Sequence, residues 1–269
     1  MTTQNPFTGS ERELLAMTRE LDELHNDVGM PAMWAGVERM VEAAHESAPR
    51  STSRRTFLLG AGAATVGTAA LIGAGVPGVA GALTRGRPGT GAPDARRFPP
   101  AGLSGDLAVA AVAASLENLA VFAYSAGLAA ATAGKLGSVP PAVATFATTA
   151  RAQHTQHAAA WNAVLKSHAK AKVTVTNPTL TPVLKSDFAK VTDVTGLANL
   201  ALTLEIIAAE TYQKETAELM SKEAIALSAS IQPVEMQHVA ILYYVLGEYP
   251  GAQSAAGVPL AFSSTAKAA

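Results

Sequence analysis

The chain has 269 residues, of which 49% are hydrophobic and 5% aromatic, and its formal net charge is −1. This near-neutral balance provides no broad basic surface for neutralising phosphates, so the composition argues against a nucleic-acid partner. The chain contains no cysteine, which excludes disulfides, thiolate nucleophiles and thiolate-bound zinc or iron–sulfur sites. Alanine is abundant, and small residues with few aromatics favour an all-α fold.

Residues 1–50 are predicted to form an N-terminal helical extension. Ser10 followed by Glu13 is typical of a capping box. Apolar residues then follow at helical spacing on one face: Leu14, Leu21, Leu24 and Val28. A second helix is predicted from Pro31, with apolar side chains at Trp34, Val37, Met40, Val41 and Ala44. We expect a small cytoplasmic helical hairpin, unless translation starts at Met40. His25 and His45 lack ligand-like neighbours and are expected to be solvated, as is His168.

Residues 51–82 have the pattern of an export signal. Residues 53–59 read Ser-Arg-Arg-Thr-Phe-Leu-Leu, which closely resembles the twin-arginine signature, and an uncharged run follows until Arg85. Ala80-Gly81-Ala82 matches the small-x-small pattern of signal peptidase sites, so the mature chain is expected to start near Leu83. These features predict the twin-arginine export machinery as a partner and the cell envelope or exterior as the location.

The alternative is that residues 56–84 stay in place as a membrane anchor, since this run exceeds the roughly 20 apolar residues needed to span a bilayer. Seven glycines and one proline between Gly60 and Gly81 make it a poor helix and favour cleavage. Residues 83–103 are rich in Pro, Gly and Arg and are predicted to be a flexible linker. At the other end, residues 249–269 are predicted to be a loosely packed tail.

Residues 104–248 are predicted to contain four long helices. The first runs from about Ser104 to Ala133, and the second from Pro141 to about Ala171. Residues 172–192 form a long connection with a short helix at Pro182 to Lys190. The third helix is expected to start near Asp193 and the fourth near Ser221. Two pairs of helices joined by a long crossover indicate a four-helix bundle with one crossover connection.

An internal repeat relates the two pairs of helices. Residues 116–124 and 204–212 both read Leu-Glu-x6-Tyr, and residues 154–157 align with Glu235-Met-Gln-His238. Glu and Tyr seven residues apart lie two turns along one helical stripe, and His157 and His238 take equivalent positions. Three carboxylates on largely apolar faces indicate a cation between them, because an unpaired buried carboxylate costs several kcal/mol. Carboxylates and imidazoles suit iron, manganese or zinc.

This repeat resembles that of the ferritin-like di-metal carboxylate superfamily, and together with the twin-arginine signal it is similar to the exported bacterial branch that includes desiccation-related proteins. The resemblance covers residues 104–248 and implies a ferritin-like four-helix bundle with a long crossover between helices 2 and 3. It implies two helices that each supply one Glu and two that each supply Glu-x-x-His. The metal ligands carried over by position are Glu117, His154, His157, Glu205, Glu235 and His238.

The second helix departs from the family pattern, because His154 stands where the family has a bridging Glu. The site is therefore dinuclear with hydroxide or water in the bridge, mononuclear, or without metal. Glu117 and Glu205 have Arg151 as an alternative partner. Three aromatic residues are either hydrogen-bond or redox partners of the ligands or parts of the core: Tyr124, Tyr212 and Trp161.

The resulting functional prediction is an exported ferritin-like protein that binds one or two iron or manganese ions. The resemblance implies redox chemistry with oxygen or peroxide. The main alternative is a non-enzymatic structural or stress-protection bundle of the cell envelope with a degenerate metal site. A third is an anchored membrane protein whose N-terminal hairpin binds a cytoplasmic partner.

Overall fold

A computed structural model describes residues 9–46, 98–100 and 102–248 of the chain. The predicted export signal, most of the predicted linker and the C-terminal tail lie outside these residues. The described part is helical and contains no strand. Its α-helices in chain order are α1 Glu11–Leu24, α2 Met30–Glu46, α3 Asp106–Thr132, α4 Pro141–Ser167, α5 Leu180–Phe188, α6 Val194–Glu218 and α7 Lys222–Val245. The predicted all-α fold is confirmed.

Four long helices form the bundle. Helix α3 packs along α4, and α6 packs along α7. Each pair is joined by a short turn, which makes its helices antiparallel neighbours. A long crossover that contains α5 connects α4 to α6. Asn118 fastens this crossover to α3, because its side-chain amide donates to the carbonyl oxygens of Val173 at 3.0 Å and Val175 at 3.2 Å. The predicted bundle topology is confirmed.

Local capping chemistry explains where the bundle helices begin. Pro141 occupies the first turn of α4, where its missing N–H costs nothing. The side chain of Asp193 accepts a hydrogen bond from the Gly196 N–H at 2.7 Å and caps α6. Ser221 caps α7 in the same way. Helix α4 ends at Ser167, four residues before the predicted end.

The N-terminal region is one continuous helix and not a hairpin, so that prediction is wrong. Helices α1 and α2 are joined by a π-helical turn, His25–Gly29. The Met30 N–H donates to the His25 carbonyl five residues earlier, and Pro31 follows directly. This wider turn allows the helix to pass the proline, where the sequence suggested a break.

The N-terminal helix packs along α4 and α7 of the bundle. The side chains that it buries are at most 5% exposed and lie at helical spacing: Leu14, Thr18, Leu21, His25, Met33, Val37 and Met40. Leu24 and Val28 are 46% and 62% exposed, so their predicted place on the buried face is wrong. Tyr244 of α7 fixes the start of the helix, because its hydroxyl donates to Glu13 Oε2 at 2.6 Å and accepts from the Ser10 N–H at 2.9 Å.

Two apolar clusters make up most of the core. One contains Trp161 and Tyr212, the other contains Tyr124 and Phe146, and each includes side chains of the N-terminal helix. Helices α3 and α6 are long and apolar enough to cross a bilayer by length and composition alone. Their packing in the bundle accounts for this apolar character, because core helices have the same composition.

Candidate metal centre

Six side chains from the four bundle helices meet between the two apolar clusters. They are the six predicted ligands: Glu117 from α3, His154 and His157 from α4, Glu205 from α6, and Glu235 and His238 from α7. Each is at most 2% exposed. We call these six residues the candidate metal centre.

The donor atoms form two groups, in each of which four atoms lie within 4.8 Å of one another. The first group is Glu117, His154, His157 and Glu235, and the second is His154, Glu205, Glu235 and His238. His154 and Glu235 belong to both. The centre therefore has two halves, each with its own Glu and His, which is the arrangement that the internal repeat predicts.

The two shared residues present one donor atom to each half. Glu235 Oε1 is 3.1 Å from His157 Nδ1, and its Oε2 is 3.6 Å from His238 Nδ1. His154 lies between the other two carboxylates: its Nδ1 is 2.8 Å from Glu117 Oε2, and its Nε2 is 3.1 Å from Glu205 Oε1. His154 thus stands at the position that the internal repeat aligns with Glu235, and its two ring nitrogens bond the carboxylates of Glu117 and Glu205.

The tyrosine of each repeat forms a hydrogen bond with the glutamate of the other repeat. The Tyr124 hydroxyl on α3 donates to Glu205 Oε1 on α6 at 2.5 Å, and the Tyr212 hydroxyl on α6 donates to Glu117 Oε1 on α3. Trp161 Nε1–H donates to the Tyr212 hydroxyl at 2.9 Å. All three aromatic residues therefore hold the carboxylates in place as well as packing in the core. Among the ion pairs of the described residues, the partners of Glu117 and Glu205 are histidines and not Arg151.

Gln153 is a part of the site that the sequence did not reveal. Its Oε1 accepts a hydrogen bond from His238 Nε2 at 2.8 Å, and its Nε2 donates to Asp22 of the N-terminal helix at 3.4 Å. A proton on Nε2 leaves the lone pair of His238 on Nδ1, which faces Glu205 and Glu235. The internal repeat offers no clue to Gln153, because the equivalent position holds Val234.

The family model of the ferritin-like domain matches residues 105–248, more than half of the chain. The chain belongs to the ferritin-like domain family. No curated protein and no solved structure matches it.

This ferritin-like bundle has an additional buried histidine beside the centre. His25 is 3% exposed, and its ring packs edge-to-face against that of His157, with 5.1 Å between centroids. Burial lowers the pKa of His25 to about 4, helped by His157 and His238, so the ring is neutral. The prediction that His25 is solvated is wrong. His168 is exposed as predicted, and the side chain of His45 lies outside the described residues.

The charges of the ferritin-like centre compensate each other. Burial alone would raise the pKa of Glu117, but His157 and His154 outweigh it and lower that pKa to about 2. Burial would lower the pKa of His157, but Glu117 and Glu235 raise it to about 9. The pKa of His154 is likewise held well above its usual range, mainly by Glu235 and Glu205 acting against burial. Without metal, three imidazolium rings can balance three carboxylates at neutral pH.

The buried polar atoms of the centre also fit a metal ion. Both carboxylate oxygens of Glu235 and both ring nitrogens of His157 are buried without a hydrogen-bond partner among the described residues. Although His157 Nδ1 lies 3.1 Å from Glu235 Oε1, the two are not aligned as a hydrogen bond. Unpaired buried polar groups are costly, and a cation ligated by Glu235 and by one ring nitrogen of His157 would satisfy the carboxylate and that nitrogen. Carboxylate oxygens with imidazole nitrogens are the donors that iron and manganese accept.

Proposed function

We propose that this ferritin-like protein binds iron or manganese at the candidate metal centre. The observation that carries the proposal is Glu235, a fully buried carboxylate. Its two oxygens have no hydrogen-bond partner in the described part of the chain and face imidazoles of both halves. An apolar side chain at this position would avoid the desolvation free energy of a buried carboxylate, so packing alone does not explain Glu235. A cation between the helices explains why the carboxylate is there.

His154 determines how many ions the centre holds. The family arrangement supplies four carboxylates, which balance two divalent ions, whereas this chain supplies three. One divalent ion and one imidazolium balance three carboxylates. A neutral His154 can give one nitrogen to an ion in one half and donate its remaining N–H to the carboxylate of the other. We therefore expect one tightly bound ion, and a second ion that binds more weakly.

Bound iron or manganese would supply one-electron chemistry with oxygen or peroxide. The chain's own contribution is to hold the ligands and exclude water. Tyr124 and Tyr212 keep the two outer carboxylates oriented through their hydroxyl groups. Gln153 fixes the ring of His238. The apolar clusters on either side shield the centre from solvent.

The proposal includes export by the twin-arginine route to the cell envelope. It is supported by the sequence of residues 53–59 and by the small residues that precede Leu83. That route carries folded proteins, so the metal would be loaded before the protein crosses the membrane. Replacing Arg54 and Arg55 by Lys should retain the protein in the cytoplasm. Mass spectrometry of the exported protein should find a new N-terminus near Leu83, and an intact N-terminus in the membrane fraction would indicate an anchor at residues 56–84.

Metal binding is tested with the full-length protein, because the N-terminal helix packs on the bundle. Purified protein is stripped of metal, reconstituted with Fe(II) or Mn(II) without oxygen, desalted and analysed for metal per chain. We expect at least one ion for the parent, and a large loss for Glu235→Ala with unchanged helical circular dichroism. Glu218→Ala, at an exposed position, is the matched control. A parent that binds no metal refutes the proposal.

A second candidate function is a structural or stress-protection bundle that binds no metal. The observation in its favour is His154, which bonds Glu117 and Glu205 at the same time. Protonated His154, His157 and His238 would then balance the three carboxylates without metal. In that case the reconstituted parent contains no more metal than Glu235→Ala, and both proteins protect cells equally well against drying or oxidants.

A further inference from the structure

His25 is a histidine of the N-terminal helix that lies against the candidate metal centre. Its ring contacts that of His157 at an interplanar angle of 73°. Neither ring nitrogen of His25 has a hydrogen-bond partner among the described residues, and the same holds for His157. Two neighbouring buried imidazoles therefore have four ring nitrogens without a hydrogen-bond partner among the described residues.

The backbone of the N-terminal helix places His25 against the candidate metal centre. His25 continues the buried face of α1, since it follows Leu14, Thr18 and Leu21 at helical spacing. It is also the first residue of the π-helical turn, and such turns are frequent at functional sites. A Cβ atom on Gly29 would stand 3.4 Å from His25 Nδ1, an ordinary van der Waals contact, so the ring lies directly against this residue of the turn.

The two halves of the centre differ in how their histidines are oriented. A metal-ligating histidine nearly always donates its other ring N–H to a carbonyl, carboxylate or water. His238 has such a partner in Gln153, whereas His157 has none among the described residues. The His25 ring lies 5.1 Å from that of His157, closer than the ring of the predicted ligand His154 at 6.0 Å.

We propose that His25 positions His157, as Gln153 positions His238. His25 would accept a hydrogen bond from the ring N–H of His157 that does not face the ion. This inference rests on the proposed function, because the bond is needed when His157 ligates an ion through the other nitrogen. The ring centroids are 5.1 Å apart, so rotation of the His25 ring can bring one of its nitrogens against a nitrogen of His157. His25 belongs to neither group of four donor atoms, and it is therefore a positioning residue and not a ligand.

The position of His25 in the chain has a consequence for assembly. His25 precedes the predicted export signal at residues 51–82, and the six ligands follow it. The centre with its positioning residue is complete only while the N-terminal helix is packed on α4 and α7. If export and cleavage occur as proposed, the complete centre is that of the folded precursor, because the mature chain that starts near Leu83 lacks His25.

The test compares variants of the full-length protein by Co(II) titration, with the visible absorption of bound Co(II) as the readout. His25→Phe keeps a ring against His157 and removes both nitrogens, so it should keep its helix content. It should bind Co(II) about 10–100-fold more weakly, with shifted absorption bands. His25→Gln retains a hydrogen-bond acceptor and should recover most of the affinity. His168→Phe, at an exposed histidine, should behave like the parent.

Equal affinity and an unchanged spectrum in His25→Phe would overturn the inference and leave the proposed function standing. A parent that binds no Co(II) would overturn both. If His25→Phe does not fold, His25→Met takes its place, because it fills the space without a strong acceptor and carries the same expectation. Equal binding by His25→Gln and His25→Met would also overturn the inference.

Discussion

His154→Glu is the substitution that best tests whether protonated histidines or metal ions balance the buried carboxylates of the centre. His154 is fully buried between Glu117 and Glu205, at 2.8 Å and 3.1 Å. The substitution restores the Glu-x-x-His pair of the family on α4. In the metal-free protein it removes one imidazolium and adds a fourth carboxylate, so that four carboxylates face the rings of His157 and His238.

The size of the effect follows from the burial of this ion pair. Removing one partner of a buried pair typically costs about 3–5 kcal/mol, which is a large part of the roughly 5–15 kcal/mol that stabilises a domain. Four carboxylates balance two divalent ions. Each ion at 100 times its dissociation constant contributes about 2.7 kcal/mol, so two ions return about 5 kcal/mol. The parent also gains about 2.7 kcal/mol from its one tightly bound ion, so the variant should be about 3–5 kcal/mol less stable than the parent without metal and about 0–2 kcal/mol less stable with it.

Urea unfolding followed by circular dichroism measures the free energy of unfolding of both proteins, with and without Mn(II), and metal analysis gives the ions per chain. We expect two ions in His154→Glu and one tightly bound ion in the parent. His154→Gln is the control, because it removes the cation without adding a carboxylate and should not gain an ion. Equal stability of the two metal-free proteins, or no second ion in His154→Glu, would refute the charge argument.

Three further predictions follow from the described contacts. In the metal-free protein the contribution of Glu117 and His157 to stability should be largest between about pH 4.5 and 6.5: that of Glu117 is lost as pH falls from 4.5 through its lowered pKa of about 2, and that of His157 as pH rises from 6.5 through about 9. A difference in the free energy of urea unfolding between the parent and Glu117→Gln that is constant from pH 3 to 9 would contradict this. Gln153→Leu should weaken Mn(II) binding about 10–100-fold in calorimetric titration, because the ring of His238 loses its acceptor; unchanged affinity would count against that role. Leu14→Ala should lower the free energy of unfolding by about 2–5 kcal/mol in one cooperative transition, whereas a separate early transition would show that the N-terminal helix is not part of the core.

The bundle and the six side chains of the candidate metal centre were predictable because their signals are local or repeated. Pro141, Asp193 and Ser221 mark helix starts through the chemistry of the first turn, which a few neighbouring residues decide. The six residues that meet in the centre were predicted because two halves of one sequence carry the same pattern. Glu235 and His154 stand at equivalent positions, so the departure from the family pattern was also visible.

The N-terminal contacts could not be predicted in the same way. Asp22 accepts a hydrogen bond from Gln153, which lies 131 residues later in the sequence, and no local sequence pattern predicts such a contact. Pro31 suggested a helix start, because proline is common at the first position of a helix. The π-helical turn that accommodates it inside a continuous helix has no clear sequence signature. One signal was present: Leu14 and Leu21 at helical spacing place His25 on the same buried face. The prediction of a solvated His25 considered only metal-ligand spacing.

Anomalous X-ray scattering from crystals of the full-length protein reconstituted with Mn(II) would test the central claim most directly. The account predicts an anomalous peak enclosed by the donor atoms of the candidate metal centre, within ligand distance of Glu235 and of at least one of His157 and His238. Absence of a peak there, with His154 still bonded to both Glu117 and Glu205, would contradict it and identify the core as a proton-balanced bundle.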